Sequence, residues 1–168
     1  MELWVIYKDE QSFEVDLEWV TPDEEEIREA CMDEWEERTV DPKPSEEDWF
    51  ENVTYDSGNE FLKYFIEDGK IADLSELEEW VTSDTLSEGA KLAWLLNFGT
   101  GSSVREAEES YVGRFDSPSD FARWYVDELI DLDGVSDLIT SNIDWDGVAT
   151  DLMIDGFWEV NDHYFRNS

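Results

Sequence analysis

The chain has 168 residues and carries 46 acidic against 11 basic side chains, which gives a net charge of −35. This charge repels phosphate backbones and anionic membrane surfaces, so it argues against direct binding of nucleic acid or membranes. Basic protein surfaces and cations are the expected partners. Leu, Ile, Val and Phe supply 42 of the 168 residues, and nine residues are Trp. This content favours a folded chain with an acidic surface over disorder.

The sequence also predicts a cytoplasmic protein. No apolar run reaches the roughly 20 residues of a membrane span, and the first residues lack the basic region of a signal peptide. Cys31 is the only cysteine, so neither a disulfide framework nor a zinc motif is expected.

The segment 1–57 predicts a mixed α/β unit. Residues 3–7 form an apolar run typical of a buried strand, and residues 12–20 alternate between faces. The inner face of this second strand is expected to hold Phe13, Val15, Leu17 and Trp19. Thr21 is the expected N-cap of a helix, with Pro22 at its first position. The apolar stripe of that helix is Ile27, Ala30, Cys31 and Trp35. A short helix after Ser45 and a strand at 53–55 are expected to complete the unit.

Two further units are predicted, a helical one over 58–102 and a mainly helical one over 103–168. Helix starts are expected near Asp73, Ser87 and Ser117, and another helix is predicted over 144–155. The fold class is therefore α+β, a small antiparallel sheet plus helix at the N-terminus followed by mainly helical units.

The motifs of catalysis and cofactor binding are missing or incomplete, so we expect no enzyme, no cofactor and no metal. His163 is the single histidine and stands near no nucleophile motif. Residues 142–147 match the start of a calcium loop, but Met153 stands where that loop needs a bidentate Glu. With 46 acids, carboxylate pairs at glycosidase spacing arise by chance.

The acids as a set allow two interpretations. One is a solvated surface, as in a halophilic or cation-associated protein without a defence role. The other is an array that imitates phosphates. Duplex DNA carries one charge per roughly 1.7 Å of axis, so 35 net charges match on the order of 60 Å of duplex.

Three motifs in the last third resemble ArdA-type antirestriction proteins. Residues 109–122, Glu-Ser-Tyr-Val-Gly-Arg-Phe-Asp-Ser-Pro-Ser-Asp-Phe-Ala, are similar to the family's Tyr-Cys-Gly-x-(Phe/Tyr)-Asp-Ser-x-x-Asp-Phe-Ala stretch. Residues 143–158 resemble a second block, and residues 163–166 are similar to its His-x-Phe-Arg ending. Val112 stands where the family has Cys, and the opening strand and loop are shortened.

This resemblance implies a non-enzymatic, elongated, dimeric protein of a plasmid, transposon or phage. Such proteins imitate bent B-form DNA and occupy the DNA-binding groove of type I restriction-modification enzymes. An inhibitor of another defence system, such as a CRISPR effector, is the alternative with the same mechanism.

The acids outside the apolar stripes are the expected phosphate-mimicking residues. They are Glu14, Asp16, Glu18, Glu25, Glu26, Glu29, Asp33, Glu36, Glu37, Glu106, Glu109, Asp127, Asp131 and Asp133. Aromatic residues of the last third allow two interpretations, core packing or the dimer contact that the resemblance suggests. They are Phe121, Trp124, Tyr125, Phe157, Trp158 and Phe165.

Overall fold

A computed structural model describes residues 1–8, 11–17, 19–39, 42–129 and 135–167, without the side chains of Glu36 and Asp137. Within these ranges the chain forms eight α-helices and three small antiparallel sheets, about 50% helix and 21% strand, which confirms the α+β class. The chain divides into two compact units, Met1–Val104 and Arg105–Ser168. The predicted boundary after residue 102 lies close to this division. A separate boundary after residue 57 stays a prediction.

The first unit opens with a three-stranded sheet packed against two helices. Its elements are β1 (Glu2–Tyr7), β2 (Gln11–Asp16), α1 (Glu24–Arg38), α2 (Glu46–Asn52) and β3 (Val53–Asp56). The strand order is β2-β1-β3, and both pairings are antiparallel. The short helix after Ser45 and the strand near Val53 are thereby confirmed.

One face of this sheet forms the core of the first unit. Alternating residues of the three strands are buried there, namely Leu3, Val5, Tyr7, Phe13, Val15, Val53 and Tyr55. The helix α1 covers them with Ile27, Cys31 and Trp35, all buried. Trp49 of α2 stacks on Tyr7, with ring centroids 5.3 Å apart. The opposite face of the sheet is left to solvent, as is common in antiparallel sheets.

Two predictions for this region were wrong in detail. The strand β2 ends at Asp16, because the chain then turns and the amides of Trp19 and Val20 donate to the Asp16 carbonyl. Trp19 is consequently 83% exposed instead of buried. The N-cap of α1 is Asp23 and not Thr21. The Asp23 carboxylate accepts from the amides of Glu25 and Glu26 at 2.9 and 3.2 Å.

The remaining elements of the first unit contain a second, smaller core. They are a 3₁₀ turn (Leu62–Phe65), β4 (Ile66–Glu67), β5 (Lys70–Ile71), α3 (Leu74–Thr82) and α4 (Glu88–Phe98). Asp73 and Ser87 cap the two helices as predicted. Gly99 ends α4 at φ 75°, a conformation that favours glycine. The β4–β5 hairpin was not predicted.

The last part of the chain joins helices to a sheet. Its elements are α5 (Val104–Ser110), β6 (Tyr111–Arg114), α6 (Pro118–Leu129), α7 (Asp137–Thr140), α8 (Trp145–Asp155), β7 (Phe157–Val160) and β8 (His163–Arg166). The predicted helices starting near Ser117 and over 144–155 are confirmed.

The sheet β6-β8-β7 was not predicted, although helices still make up most of this part of the chain. Asn161 and Asp162, both at positive φ, form the two-residue turn between β7 and β8. Such turns match the twist of paired strands. Phe121 of α6 stacks on Tyr164 of β8, with centroids 4.5 Å apart, and joins the helices to the sheet. The strands are four residues long, too short to show a clear alternation in the sequence.

Candidate interface for a basic partner

Negative charge dominates the surface because the chain holds too few cations to neutralise it. If each of the 11 basic residues paired with a different acid, 35 of the 46 carboxylates would still lack a cation. The ion pairs that the structure describes include Lys8 with Asp48 at 2.9 Å and Lys63 with Glu60 at 2.7 Å. Within the described ranges no cluster of His, Cys, Asp and Glu is arranged to hold a metal ion.

The outer face of the N-terminal sheet carries two of the predicted acids. Glu14 is exposed, and Asp16 is half-buried. The Asp16 carboxylate accepts from the N-terminal ammonium of Met1 at 2.9 Å, so part of its charge is balanced within the chain. Residues two apart in a strand are separated by about 6.6–6.8 Å, which is therefore the backbone spacing of this pair. Glu18 lies outside the described residues.

Strand pairing adds acids to this face that the sequence did not reveal. In register, Trp4 of β1 lies between Glu14 of β2 and Asp56 of β3, and Glu2 lies opposite Asp16. Glu2 and Asp56 are exposed. The alternation in β1 is a signal in the sequence that could have placed Glu2 on this face. Residues 2, 4 and 6 must face away from the buried residues 3, 5 and 7.

The helix α1 presents the densest row of predicted acids. Glu25, Glu26, Glu29, Asp33 and Glu37 are all exposed along it. Glu26, Glu29, Asp33 and Glu37 are three or four residues apart and so share one side of the helix. At 1.5 Å per residue they extend over about 16 Å of helix axis. The side chain of Glu36 is among those not described.

The position of α1 is fixed by contacts on the side of the helix opposite its acidic row and at its two ends. Ile27, Cys31 and Trp35 anchor the helix on the sheet, and Asp23 caps its first turn. Arg38 at the last turn pairs with Glu34 and donates to the carbonyl of Ser12 at 2.8 Å. The exposed carboxylates are therefore held on a rigid backbone before any partner arrives.

The predicted acids of the last third are in more mixed surroundings. Glu106, Glu109 and Asp127 are exposed. Glu109 accepts from Arg105 at 2.8 Å, a contact that raises the pKa of the Arg105 guanidinium. Asp127 lines a cavity beside Arg123 and Trp145, where the guanidinium lies 5.7 Å from the ring centroid. Asp131 and Asp133 lie outside the described residues.

Two side chains with reactive potential are built into the packing. Burial raises the pKa of the Cys31 thiol to about 12, with the nearby Glu34 adding to the shift, so the thiol is protonated at neutral pH. Burial also lowers the pKa of His163, and Arg114 acts in the same direction. The Nδ1 of His163 lies 3.0 Å from the Tyr111 hydroxyl, within hydrogen-bond distance.

The segment that resembles a calcium loop has a different structure. Asp144 is the N-cap of α8, and its carboxylate accepts from the Gly147 amide at 3.1 Å. Asp146 accepts from the Ser119 hydroxyl. The helix α8 begins at Trp145, so it occupies the middle of the segment that a calcium loop would need as open chain.

The six aromatic residues considered for a dimer contact divide into two groups. Phe121, Phe157 and Phe165 are buried within the last unit. Their position agrees with core packing, the first of the two interpretations. Trp124, Tyr125 and Trp158 are half-buried, and each retains exposed surface. Their contact with a second copy of the chain stays a prediction.

Comparison with known families gave one result that covers nearly the whole chain. The family model described as antirestriction protein (ArdA) matches residues 6–166. Searches among curated proteins and among solved structures found no significant match. In the part of the chain that the structure describes, no helix is both long and apolar enough to cross a membrane.

Proposed function

Because the chain belongs to the ArdA family of antirestriction proteins, we propose that it imitates B-form DNA and inhibits type I restriction-modification enzymes. Its acidic surface occupies their DNA-binding groove. Family membership itself indicates antirestriction activity by non-enzymatic inhibition and an interaction with restriction enzymes. The imitation of DNA and the choice of type I enzymes are our proposal.

The row of acids on α1 carries this proposal. Four exposed carboxylates lie along about 16 Å of helix axis, and one strand of B-form DNA carries about five phosphates over that length, at 3.4 Å each. The row therefore approaches the charge density of a single DNA strand. A groove lined with Lys and Arg can form charge-assisted hydrogen bonds with carboxylates as it does with phosphates.

The mechanism depends on the rigidity of the scaffold. Free acidic side chains on a disordered chain would lose conformational entropy on binding, whereas those on α1 and β2 are already positioned by the core. The surface offers no base edges, so recognition of this kind does not depend on the target sequence of the enzyme. One inhibitor can then block enzymes of different specificity.

Competition with duplex DNA tests the proposal. A purified type I enzyme is incubated with labelled duplex and increasing amounts of the protein, and bound duplex is measured at moderate salt. We expect the chain to displace the duplex and the effect to weaken as salt rises. Failure to displace duplex from several such enzymes would overturn the proposal.

A variant in which the acids on α1 are replaced by uncharged amides makes the test specific for this row. Glu26→Gln, Glu29→Gln, Asp33→Asn and Glu37→Gln together remove the row on α1. The matched control removes four other exposed acids with Glu47→Gln, Glu51→Gln, Glu78→Gln and Glu79→Gln. At about 0.2–1 kcal/mol for each exposed pair, the first variant should inhibit at least about fourfold less well. The control should lose clearly less.

We also propose that the chain acts as a homodimer, as its family resemblance implies. Exposed apolar side chains on α7 and α8 support this, since Leu138 and Ile154 are each 75% exposed. Contiguous exposed apolar residues are typical of protein interfaces, and Ile139, next to Leu138, is also 59% exposed. In sedimentation experiments Ile154→Lys should shift the protein toward monomer, and the control Thr100→Lys, at an exposed position of the first unit, should not. Identical masses for both variants would contradict this interface.

A further inference from the structure

Trp4 is an exposed aromatic residue in the middle of an acidic sheet face. It belongs to the central strand β1 and is 39% exposed, while its neighbours Leu3 and Val5 are buried on the other face. Glu14 and Asp56 lie beside it on the two flanking strands, and both are exposed. Neighbouring strands are about 4.8 Å apart, so a carboxylate-bearing residue stands on each side of the indole.

Gly58 lies beside the end of the indole ring. A Cβ added at Gly58 would lie 3.7 Å from Cζ2 and Cη2 of Trp4, an ordinary contact distance. A larger side chain there would begin in contact with the end of the ring and reduce its accessible surface, with no clash at the Cβ. With glycine at this position, Trp4 is 39% exposed between its acidic neighbours.

This combination has a defined chemical complement. The face of an indole attracts cations, most often the guanidinium of arginine. A guanidinium is planar, so it can stack on the ring while its edge N–H groups donate to carboxylates beside it. A lysine ammonium is more strongly hydrated and has no plane to stack. A surface of carboxylates alone can accept the N–H groups but offers no ring on which the guanidinium can stack.

We infer that the outer face of the N-terminal sheet binds an arginine side chain of a protein partner. The guanidinium stacks on Trp4, and Glu14 and Asp56 accept its N–H groups. The identity of that partner, a basic DNA-binding groove, rests on the proposed function. The contact with Trp4 adds a specific anchor to an interaction that otherwise depends on total charge.

Peptide binding tests this anchor directly. Two peptides of equal length and charge, one with arginine and one with lysine, are titrated into the chain by calorimetry at about 0.1 M salt. Trp4→Leu should weaken binding of the arginine peptide about two- to fivefold, the range expected for an exposed cation–π contact. Binding of the lysine peptide should change less. Gly58→Leu should reproduce this pattern with Trp4 still in place.

Trp19 provides the matched control, because it is a more exposed tryptophan on the same unit but lies beyond the end of β2. Trp19→Leu should leave both affinities unchanged. Circular dichroism confirms that each variant is folded. Unchanged arginine affinity in folded Trp4→Leu, or an equal loss in Trp19→Leu, would overturn the inference.

The same variants in the duplex competition separate this inference from the proposed function. If the unmodified chain fails to displace duplex, the proposed function fails, whatever the peptides show. If the chain displaces duplex but Trp4→Leu binds the arginine peptide as well as before, the arginine anchor alone fails.

Discussion

The ammonium of Lys91 donates to the main-chain carbonyl of Ser83 at 2.6 Å, inside the second core of the first unit. Lys91 is only 3% exposed, although acids outnumber basic residues 46 to 11 in the chain. Its Nζ also lies 3.5 Å from the Val81 carbonyl and 5.9 Å from the ring centroid of Phe61. One of the few cations is thus used to satisfy carbonyls at the C-terminal end of α3, where positive charge is favourable.

Replacing this lysine should destabilise the first unit. Lys91→Met keeps the apolar stem but leaves the partly buried carbonyls of Val81 and Ser83 without this donor, so we expect the free energy of unfolding to fall by about 1–3 kcal/mol. Urea denaturation followed by tryptophan fluorescence measures the change. The control Lys63→Met, on an exposed lysine, should stay within about 0.5 kcal/mol. Equal effects would show that Lys91 has no special role.

The N-cap of α1 gives a second prediction. Asp23→Ala removes the carboxylate that accepts from the amides of Glu25 and Glu26, and it should cost about 1 kcal/mol of stability. Thr21→Ala, at the position that the sequence favoured, should cost much less. Thermal unfolding of both variants checks the order. A larger loss for Thr21→Ala would contradict the assignment of Asp23.

Titration of His163 should make the free energy of unfolding depend on pH. Because burial lowers its pKa in the folded state, the unfolded chain, with a pKa near 6.5, takes up the proton first. Neutral His163 therefore contributes to the free energy of unfolding. This contribution is complete above about pH 6.5 and is lost as pH falls from there toward the pKa of His163 in the folded chain.

The comparison with His163→Gln isolates this contribution, since titration of the carboxylates is common to both proteins. The stability of the original chain relative to the variant should decline between about pH 7 and pH 5. Urea denaturation at several pH values measures the difference. A difference that does not change with pH would rule out this role of His163.

Salt distinguishes a DNA mimic from a halophilic protein. The buried aromatic residues of both units should keep the chain folded at about 0.01 M salt, where screening is weakest. The Tm should rise with added salt because screening reduces repulsion among 35 net charges. Circular dichroism with calorimetry measures both. Unfolding at low salt would favour the halophilic interpretation.

Sequence patterns predicted the parts of the fold that depend on local contacts. Of the predicted stripe, Ile27, Cys31 and Trp35 are buried and Ala30 is half-buried, and Asp73 and Ser87 cap their helices as predicted. The sheet β6-β8-β7 was missed because its pairing joins residues about 50 positions apart, such as Tyr111 and Phe165. Strands of four residues carry too little alternation to reveal it.

The candidate interface shows the same limit. The exposed acids of α1 could be assigned from the helical period alone, because the residues involved are close in sequence. The grouping of Trp4 with Glu14 and Asp56 could not, since it depends on the register of three strands. The prediction that Trp19 is buried was wrong because nothing in the alternation marks the turn after Asp16.

The buried thiol of Cys31 provides a way to observe the native ensemble. As the only sulfhydryl in the chain, and one buried on the face of α1 that packs on the sheet, it reacts with a disulfide reagent when that helix lifts from the sheet. The rate of modification in the native protein therefore reports how often this happens, without any added label. A basic partner seated on the acidic side of α1 would slow that reaction, so the thiol would record binding from the opposite side of the helix.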